Sequence, residues 1–179
     1  MNRSPFALLP LLLCLGAPFA APAVAQDAVS ALRGHNSNAP VDVAADRIEL
    51  QDRADRAILS GNVQVRQADL TMTAQRLTVA YSRAGGTQIQ RLDASGGVTV
   101  RSPSETARGN FAIYDLNRRL ITMIGNVVLT RGPQEVRGGR LVINLTTGRA
   151  TVDGSTVGAG GTSSSGGRVT GRFTVPQRN

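Results

Sequence analysis

Lysine and tryptophan are missing from the sequence, and its 179 residues include one cysteine and one histidine. Aromatic side chains account for 3% of the residues. Thiol catalysis, cysteine-ligated metals and histidine-containing triads are therefore almost without the residues that they need. The one close acidic pair, Asp52 and Asp55, lies beside arginines in a predicted hairpin turn. We expect no enzymatic activity, no metal site and no cofactor.

Residues 1–25 have the organisation of a secretory signal. Arg3 precedes an apolar run over residues 5–21, and Ala23-Val24-Ala25 has the small-x-small form of a cleavage site. We predict cleavage after Ala25, which removes Cys14 and leaves 179 minus 25, or 154, residues. A chain of that length can form one domain with an apolar core. The run contains three prolines and is short for a bilayer span, so a retained anchor is the weaker alternative.

The mature chain is basic. It keeps 19 arginines and all 12 acidic residues, which gives a net charge of +7. Guanidinium groups suit phosphate and carboxylate partners, so we expect an anionic partner. Nucleic acid is a poor candidate, because its single-strand binders interleave charge with aromatic platforms and only four dispersed aromatic residues remain here.

Two short patterns repeat along the chain, and both alternate apolar with other residues, as half-buried strands do. The first is a small or polar residue, then Arg or Asn, then apolar-x-apolar. Its copies start at residues 46, 75, 109, 139 and 171. The second, a glycine followed by Val-x-apolar, lies between them at Gly61, Gly96 and Gly125. The chain is therefore predicted to be all-β and built from repeated short strands.

The side of the strand that is apolar changes within several of these units. Leu70 and Met72 share one parity, whereas Leu77 and Val79 share the other, and the shift falls at residues 73–76. A strand that changes parity must bulge or turn a corner to keep its apolar side inward. We therefore predict two facing sheets over a shared apolar interior. The three glycines of the second pattern are predicted to kink their strands, which is also compatible with a cavity.

The ends of the chain differ in composition from the repeats. Residues 26–39 are polar and irregular and are predicted to be a flexible lead-in that contains His35. The domain is predicted over residues 40–176, with a flexible Gly/Ser loop at 158–167 and a tail at 177–179.

The order of these units carries a resemblance over about Pro40 to Ser155. It rests on Asp46-Arg47-Ile48-Glu49-Leu50, on the hairpins Ser60-Gly61-Asn62-Val63 and Gly125-Asn126-Val127, and on Gly139-Arg140-Leu141. With the predicted signal, this order resembles the LptA/OstA family, periplasmic lipopolysaccharide transport proteins of Gram-negative bacteria.

The resemblance implies an open β-jelly roll, called a β-taco, whose two facing antiparallel sheets enclose a groove for the acyl chains of lipid A. Members of the family are not enzymes. They join head to tail through edge strands and bridge LptC at the inner membrane and LptD at the outer membrane. The partners it implies are lipopolysaccharide, LptC-like and LptD-like proteins, and further copies of the chain.

Within the resemblance, the first strand matches the lipid-contacting strand of the family. The expected groove residues are Val41, Val43, Ile48, Leu50, Leu59, Val63, Val65, Leu77, Val79, Phe111, Ile113, Val127, Leu129, Leu141 and Ile143. Arg47, Arg76 and Arg140 follow the repeat and could meet phosphates at a rim. For any single residue of the apolar set, core packing is favoured over direct lipid contact. For the arginines, a solvated outer face is favoured over the rim.

Two other functions stay open at the level of sequence. The chain could be an LptC-like, membrane-anchored component of the same pathway. It could also be a scaffold that assembles through strand edges without binding lipid.

Overall fold

The computed structural model describes residues 35–154, 156–157, 163–164 and 167–173. The predicted signal peptide, lead-in residues 26–34, most of the Gly/Ser loop, Pro176 and the tail lie outside the described residues.

The described part of the chain is almost entirely antiparallel β-structure, as predicted. Its strands are β1 (Asp42–Ala44), β2 (Arg47–Gln51), β3 (Arg56–Gln67), β4 (Leu70–Ser82), β5 (Gln88–Arg101), β6 (Glu105–Asp115), β7 (Leu120–Arg131), β8 (Gln134–Asn144), β9 (Arg149–Asp153), β10 (Thr156–Val157), β11 (Ser163–Ser164) and β12 (Thr170–Arg172). A single 3₁₀ turn, Asp52–Ala54, joins β2 to β3. Among the described residues no helix is long and apolar enough to cross a bilayer.

Ten of the strands form one sheet that is folded over on itself. The two halves of each long strand pair with different halves of its neighbours, which gives two layers. Layer A has the order β2-β3-β4-β5-β6-β7-β8-β9, and layer B has the order β1-β3-β4-β5-β6-β7-β8-β12. The predicted open jelly roll is confirmed, but its two sheets are layers of one sheet, because six strands of 11 to 14 residues run through both.

The fold between the layers lies where the pairing register shifts. Shifts occur between Ser60 and Val63, between Ser95 and Val98, and between neighbouring residues on the strands that pair with them. Gly61 and Asn62 there have φ of +77° and +46°, a conformation that glycine adopts freely and asparagine tolerates. The predicted corner at residues 73–76 is confirmed, since the β4–β5 register shifts between Thr73 and Arg76.

The interior between the layers is a continuous apolar core. Both halves of β4 contribute, with Leu70 and Met72 in layer B and Leu77 and Val79 in layer A, all between 0% and 5% exposed. These are the two parities that the sequence separates. The parity shift therefore keeps one apolar face inward on both sides of the fold.

Candidate functional site

The folded sheet has a closed side and an open side. The bulges form the closed side, which we call the bend, and the strand ends form the open side, which we call the mouth. Layer A reaches the mouth with residues 52–55, 83–87, 116–119 and 145–148, and layer B with residues 68–69, 102–104 and 132–133. Any molecule held between the layers would meet water along this side and at the two ends of the sheet.

Eight of the fifteen expected groove residues lie in the packed interior. They are between 0% and 5% exposed: Leu59, Val63, Val65, Leu77, Val79, Val127, Leu141 and Ile143. Val41 and Leu129 are partly buried and pack against this core. In the middle of the molecule the two layers are therefore in contact with each other, and a guest would have to separate them.

Three further expected groove residues face inward but are uncovered. Val43 lies opposite Val65, Ile48 opposite Leu59, and Leu50 opposite Ala57. Residues directly opposite one another in an antiparallel pair project to the same face. Val43, Ile48 and Leu50 are nevertheless 37%, 51% and 69% exposed. The apolar interior is thus open at the edge formed by β1 and β2.

The interior positions predicted for Phe111 and Ile113 are wrong. Phe111 is 53% exposed and Ile113 38%, whereas their neighbours Ala112 and Tyr114 are each 1% exposed. The physical reason is a one-residue error in aligning the third repeat. Asn110 lies at the bend against Gly125, as Gln75 does against Gly96, so Phe111 takes an outer position. A slip of one residue moves every side chain of a strand to the other face.

For Arg47, Arg76 and Arg140, the rim position is wrong and the favoured interpretation, a solvated outer face, is confirmed. They lie on the outer face of layer A in one row across the strands, next to the bend and away from the mouth. In this row Arg47 Nη2 lies 3.9 Å from Glu49 Oε2, and Arg140 Nη1 lies 3.8 Å from Asp153 Oδ2. Phe111 occupies the corresponding place on β6.

Arginines that the sequence analysis did not select line the mouth instead. Arg83, Arg118 and Arg119 lie in turns of layer A, and Arg101 and Arg131 lie at the ends of strands in layer B. A hydrogen bond with Tyr81 raises the pKa of Arg83, and Asp52 and Asp55 add to this. Arg131 pairs with Glu105, whose side chain is buried. All five arginines lie at or just beyond a strand end. This position relative to the repeats is the feature by which the sequence could have identified them.

Both layers contribute a buried polar side chain to the interior at the mouth. Gln67 of layer B is 2% exposed and Tyr114 of layer A is 1% exposed. The Tyr114 hydroxyl donates a hydrogen bond to Gln67 Oε1 at 2.7 Å, which joins the two layers. Burial raises the pKa of Tyr114, while Ser37 and the positive charge of Arg119 act in the opposite direction.

His35 is placed differently from the prediction that it lies in a flexible lead-in. Its side chain is fully buried at the mouth. Nδ1 lies 2.7 Å from Asp69 Oδ1, and Nε2 lies 3.3 Å from Gln67 Oε1. Residues 35–39, which we call the strap, pack across the mouth through these and neighbouring contacts. The difference arises because the strap packs against buried polar residues of β3 and β6, Gln67 and Tyr114. Local composition does not indicate such distant partners.

An apolar cavity of about 260 Å³ opens at the other end of the sheet. It lies between β8 of layer B and β9 of layer A, and it is lined by Leu129, Arg131, Gln134, Val136, Ala150, Val152, Val169 and Phe173. Val169 and Phe173 are 43% and 62% exposed. The interior is therefore open at both ends of the sheet.

The site carries groups that suit binding. It combines an apolar interior, polar groups at the mouth and arginines on the edges of both layers at the mouth, which we call its two lips. This matches the polarity of an anionic amphiphile. No cluster of three or more His, Cys, Asp or Glu side chains suited to a metal ion occurs within the described ranges.

Residues 42–149 match the family described as LptA/(LptD N-terminal domain) LPS transport protein. The chain is 32% identical over 143 residues to the uncharacterized protein R00383 of Rhizobium meliloti strain 1021, a match that covers 75% of this chain and 77% of that protein. The fold is similar to the crystal structure of LptH, the LptA homologous periplasmic component of the lipopolysaccharide transport device of Pseudomonas aeruginosa. That match has a TM-score of 0.67 at 16% identity and covers 79% of this chain and 99% of LptH.

Proposed function

The chain belongs to the LptA/(LptD N-terminal domain) family of lipopolysaccharide transport proteins, and from that premise we propose that it carries lipopolysaccharide across the periplasm. The acyl chains of lipid A lie between the two layers, and the phosphates and sugars remain in water at the mouth. The proposal includes no catalytic step, because the chain needs only to shelter the lipid.

The polarity of the interior is the observation that supports this function best. The inward rows are aliphatic from the bend outward, and the buried polar groups of Gln67, Glu105 and Tyr114 lie among them at the mouth. Each methylene withdrawn from water contributes about 0.8 kcal/mol, so a chain with about ten buried methylenes gains roughly 8 kcal/mol. Part of that gain would offset the loss of contact between layers that now touch.

The arginines at the mouth suit the head group. Arg101 and Arg119 lie on opposite lips, and Arg119 makes a hydrogen bond of 3.1 Å to the neutral side chain of Asn38. Guanidinium groups bind phosphate more strongly than they bind an amide oxygen, because such pairs are charge-assisted and often bidentate. We assign the phosphate contacts to the mouth and not to the row of Arg47, Arg76 and Arg140.

Export and partners complete the proposal. Cleavage after Ala25 would release the mature chain into the periplasm. The uncovered apolar ends and the edge strands would dock LptC-like and LptD-like jelly rolls, or another copy of this chain, by strand addition. The packed interior and the two open ends also favour the second candidate function, an assembly scaffold that binds no lipid.

A photo-crosslinker on β1 distinguishes the two functions. Val43 faces the interior, whereas Ala44, the next residue of the same strand, faces outward. With purified lipid A, we expect a p-benzoylphenylalanine at position 43 to form a lipid adduct visible by mass spectrometry, and the matched variant at position 44 to form none. A folded protein without an adduct at position 43 would exclude the carrier function and leave the scaffold. Equal adducts at both positions would exclude a lipid held between the layers.

A further inference from the structure

The strap joins the two lips of the mouth through polar contacts. On the side of layer B, Gln67 Nε2 donates hydrogen bonds to the carbonyl oxygens of Ser37 and Ala39, both at 3.0 Å. The His35 ring lies between Gln67 and Asp69, as described above. This half of the contact pins the strap to the end of β3 and the turn that follows it.

The other half of the contact reaches layer A. Arg119 Nη2, in the turn between β6 and β7, donates to Asn38 Oδ1 at 3.1 Å. Tyr114, at the end of β6, donates to the same Gln67 that holds the strap. The strap therefore bridges the lips instead of covering only one of them. Gln67 is the central residue of these contacts. Its side-chain nitrogen donates hydrogen bonds to the strap, and its side-chain oxygen accepts one from Tyr114 of layer A.

The strap is held differently from the strands that it crosses. Its sequence, His35-Asn36-Ser37-Asn38-Ala39, supplies no aliphatic side chain larger than that of Ala39. Hydrogen bonds to the lips therefore carry most of its attachment, and water can replace them at a small net cost. The apolar contacts between the packed layers behind the strap cannot be replaced by contacts with water in this way. The strap is thus the part of the mouth that opens most easily.

We propose that the strap is a gate for side-on entry of the lipid, with Gln67 and Tyr114 as its latch, an inference that rests on the proposed function. Acyl chains enter between the lips once the strap is displaced, so they need not pass along the interior from one end. An anionic head group assists opening, because its phosphate competes with Asn38 for Arg119.

A cross-link across the mouth tests the route of entry. The only native cysteine, Cys14, lies in the predicted signal peptide, so an Asn38→Cys/Arg119→Cys variant can be joined by a short bis-maleimide. We expect uptake of fluorophore-labelled lipid A to become at least tenfold slower after cross-linking, and not after the same treatment of either single variant. Unchanged uptake would mean entry from the ends and would overturn the gate. If the wild-type chain takes up no lipid A, the proposed function fails instead.

Tyr114→Phe tests the latch without altering the shape of the core. We expect uptake, and hydrogen exchange at the Ser37 and Ala39 amides, to become about fivefold faster, the effect of one lost hydrogen bond. Tyr81→Phe is the matched control, since its hydroxyl reaches Asp52, at 3.3 Å, and not the strap. Equal acceleration in both variants, or in neither, would overturn the assignment of Tyr114 as a latch.

Discussion

Tyr114 shows how one side chain serves both the core and the mouth. Its ring is buried in layer A, and its hydroxyl reaches Gln67 in layer B. A phenol in this position is stable only while it is protonated, because burial disfavours the phenolate. The contact between the layers, and with it the free energy of unfolding, should therefore depend on pH at alkaline pH.

The sign of that dependence follows from the raised pKa of Tyr114. The folded state holds the proton above the ordinary value of 10.0, at which the unfolded chain releases it. The free energy of unfolding should therefore be unaffected by this group below about pH 9 and should fall as the pH rises through 10 and above. Urea unfolding followed by circular dichroism between pH 8 and pH 11.5 measures it.

Tyr114→Phe provides the reference for this measurement. The variant should lose about 1 kcal/mol at pH 8, where only the hydrogen bond is removed. The difference from wild type should then shrink as the pH rises past 10, because the variant has no proton to release. Two stability curves that stay parallel up to pH 11.5 would contradict the assignment.

Residue placement also marks the limit of sequence reasoning. Ile48, Leu77 and Leu141 face inward as predicted, because alternation and register agree there. Phe111-Ala112-Ile113-Tyr114 has an aromatic or aliphatic residue at each of its four positions, so either parity gives an apolar row. Only the contact of Asn110 with Gly125 decides the parity, and that contact is between strands.

Among the elements, the bends were the most predictable. The parity shift in β4 required a corner, and the glycines beside it provided the conformation. The strap was not predictable, because its partners in β3 and in the turn between β6 and β7 lie about 30 and 80 residues away in sequence. Local composition gives no signal for such contacts.

The bend of β5 offers a test with a control in the adjacent residue. Gly96 and Gly97 both have positive φ, +84° and +80°. A Cβ on Gly96 would lie 2.7 Å from Cβ of Gln75, whereas a Cβ on Gly97 would meet nothing within 4 Å. Gly97→Ala should cost about 1–2 kcal/mol of stability, from backbone strain alone. Gly96→Ala should cost about 1 kcal/mol or more beyond that, because the β4 backbone must also shift.

Urea unfolding of the two variants, followed by circular dichroism, measures both free energies of unfolding. If the m-values are equal, the difference between the variants separates backbone strain from the contact with β4. If Gly96→Ala and Gly97→Ala are equally stable, the close packing of β4 on the bend contributes nothing, and the glycine pattern reflects backbone conformation alone.

At the scale of the whole molecule, the two layers are crossed and leave unlike ends. At the mouth, β6 of layer A meets β3 of layer B, so β2 of layer A extends past its partner layer. This explains why Ile48 and Leu50 face inward and yet meet water. The sequence predicted that these residues belong to the interior face, but not that the crossing of the layers uncovers them. The other end differs, with a cavity beside Val169 and Phe173.

Unlike ends that are both apolar favour head-to-tail assembly, which closes no ring and can continue. We expect the mean mass of the mature chain, measured by analytical ultracentrifugation, to rise with concentration. Leu50→Asp and Phe173→Asp should each be monomeric, because a charge at either end would have to be buried unpaired. Phe111→Asp is the control, since Phe111 is equally apolar and 53% exposed but lies on the outer face of layer A.

Mixing the two end variants makes this prediction decisive. Leu50→Asp keeps an intact β12 end and Phe173→Asp keeps an intact β2 end, so an equimolar mixture should form a heterodimer and nothing larger. Association of either variant alone to the wild-type mass would show that these ends are not the interface. A mixture that stays monomeric while Phe111→Asp also loses association would move the interface to the outer face of layer A.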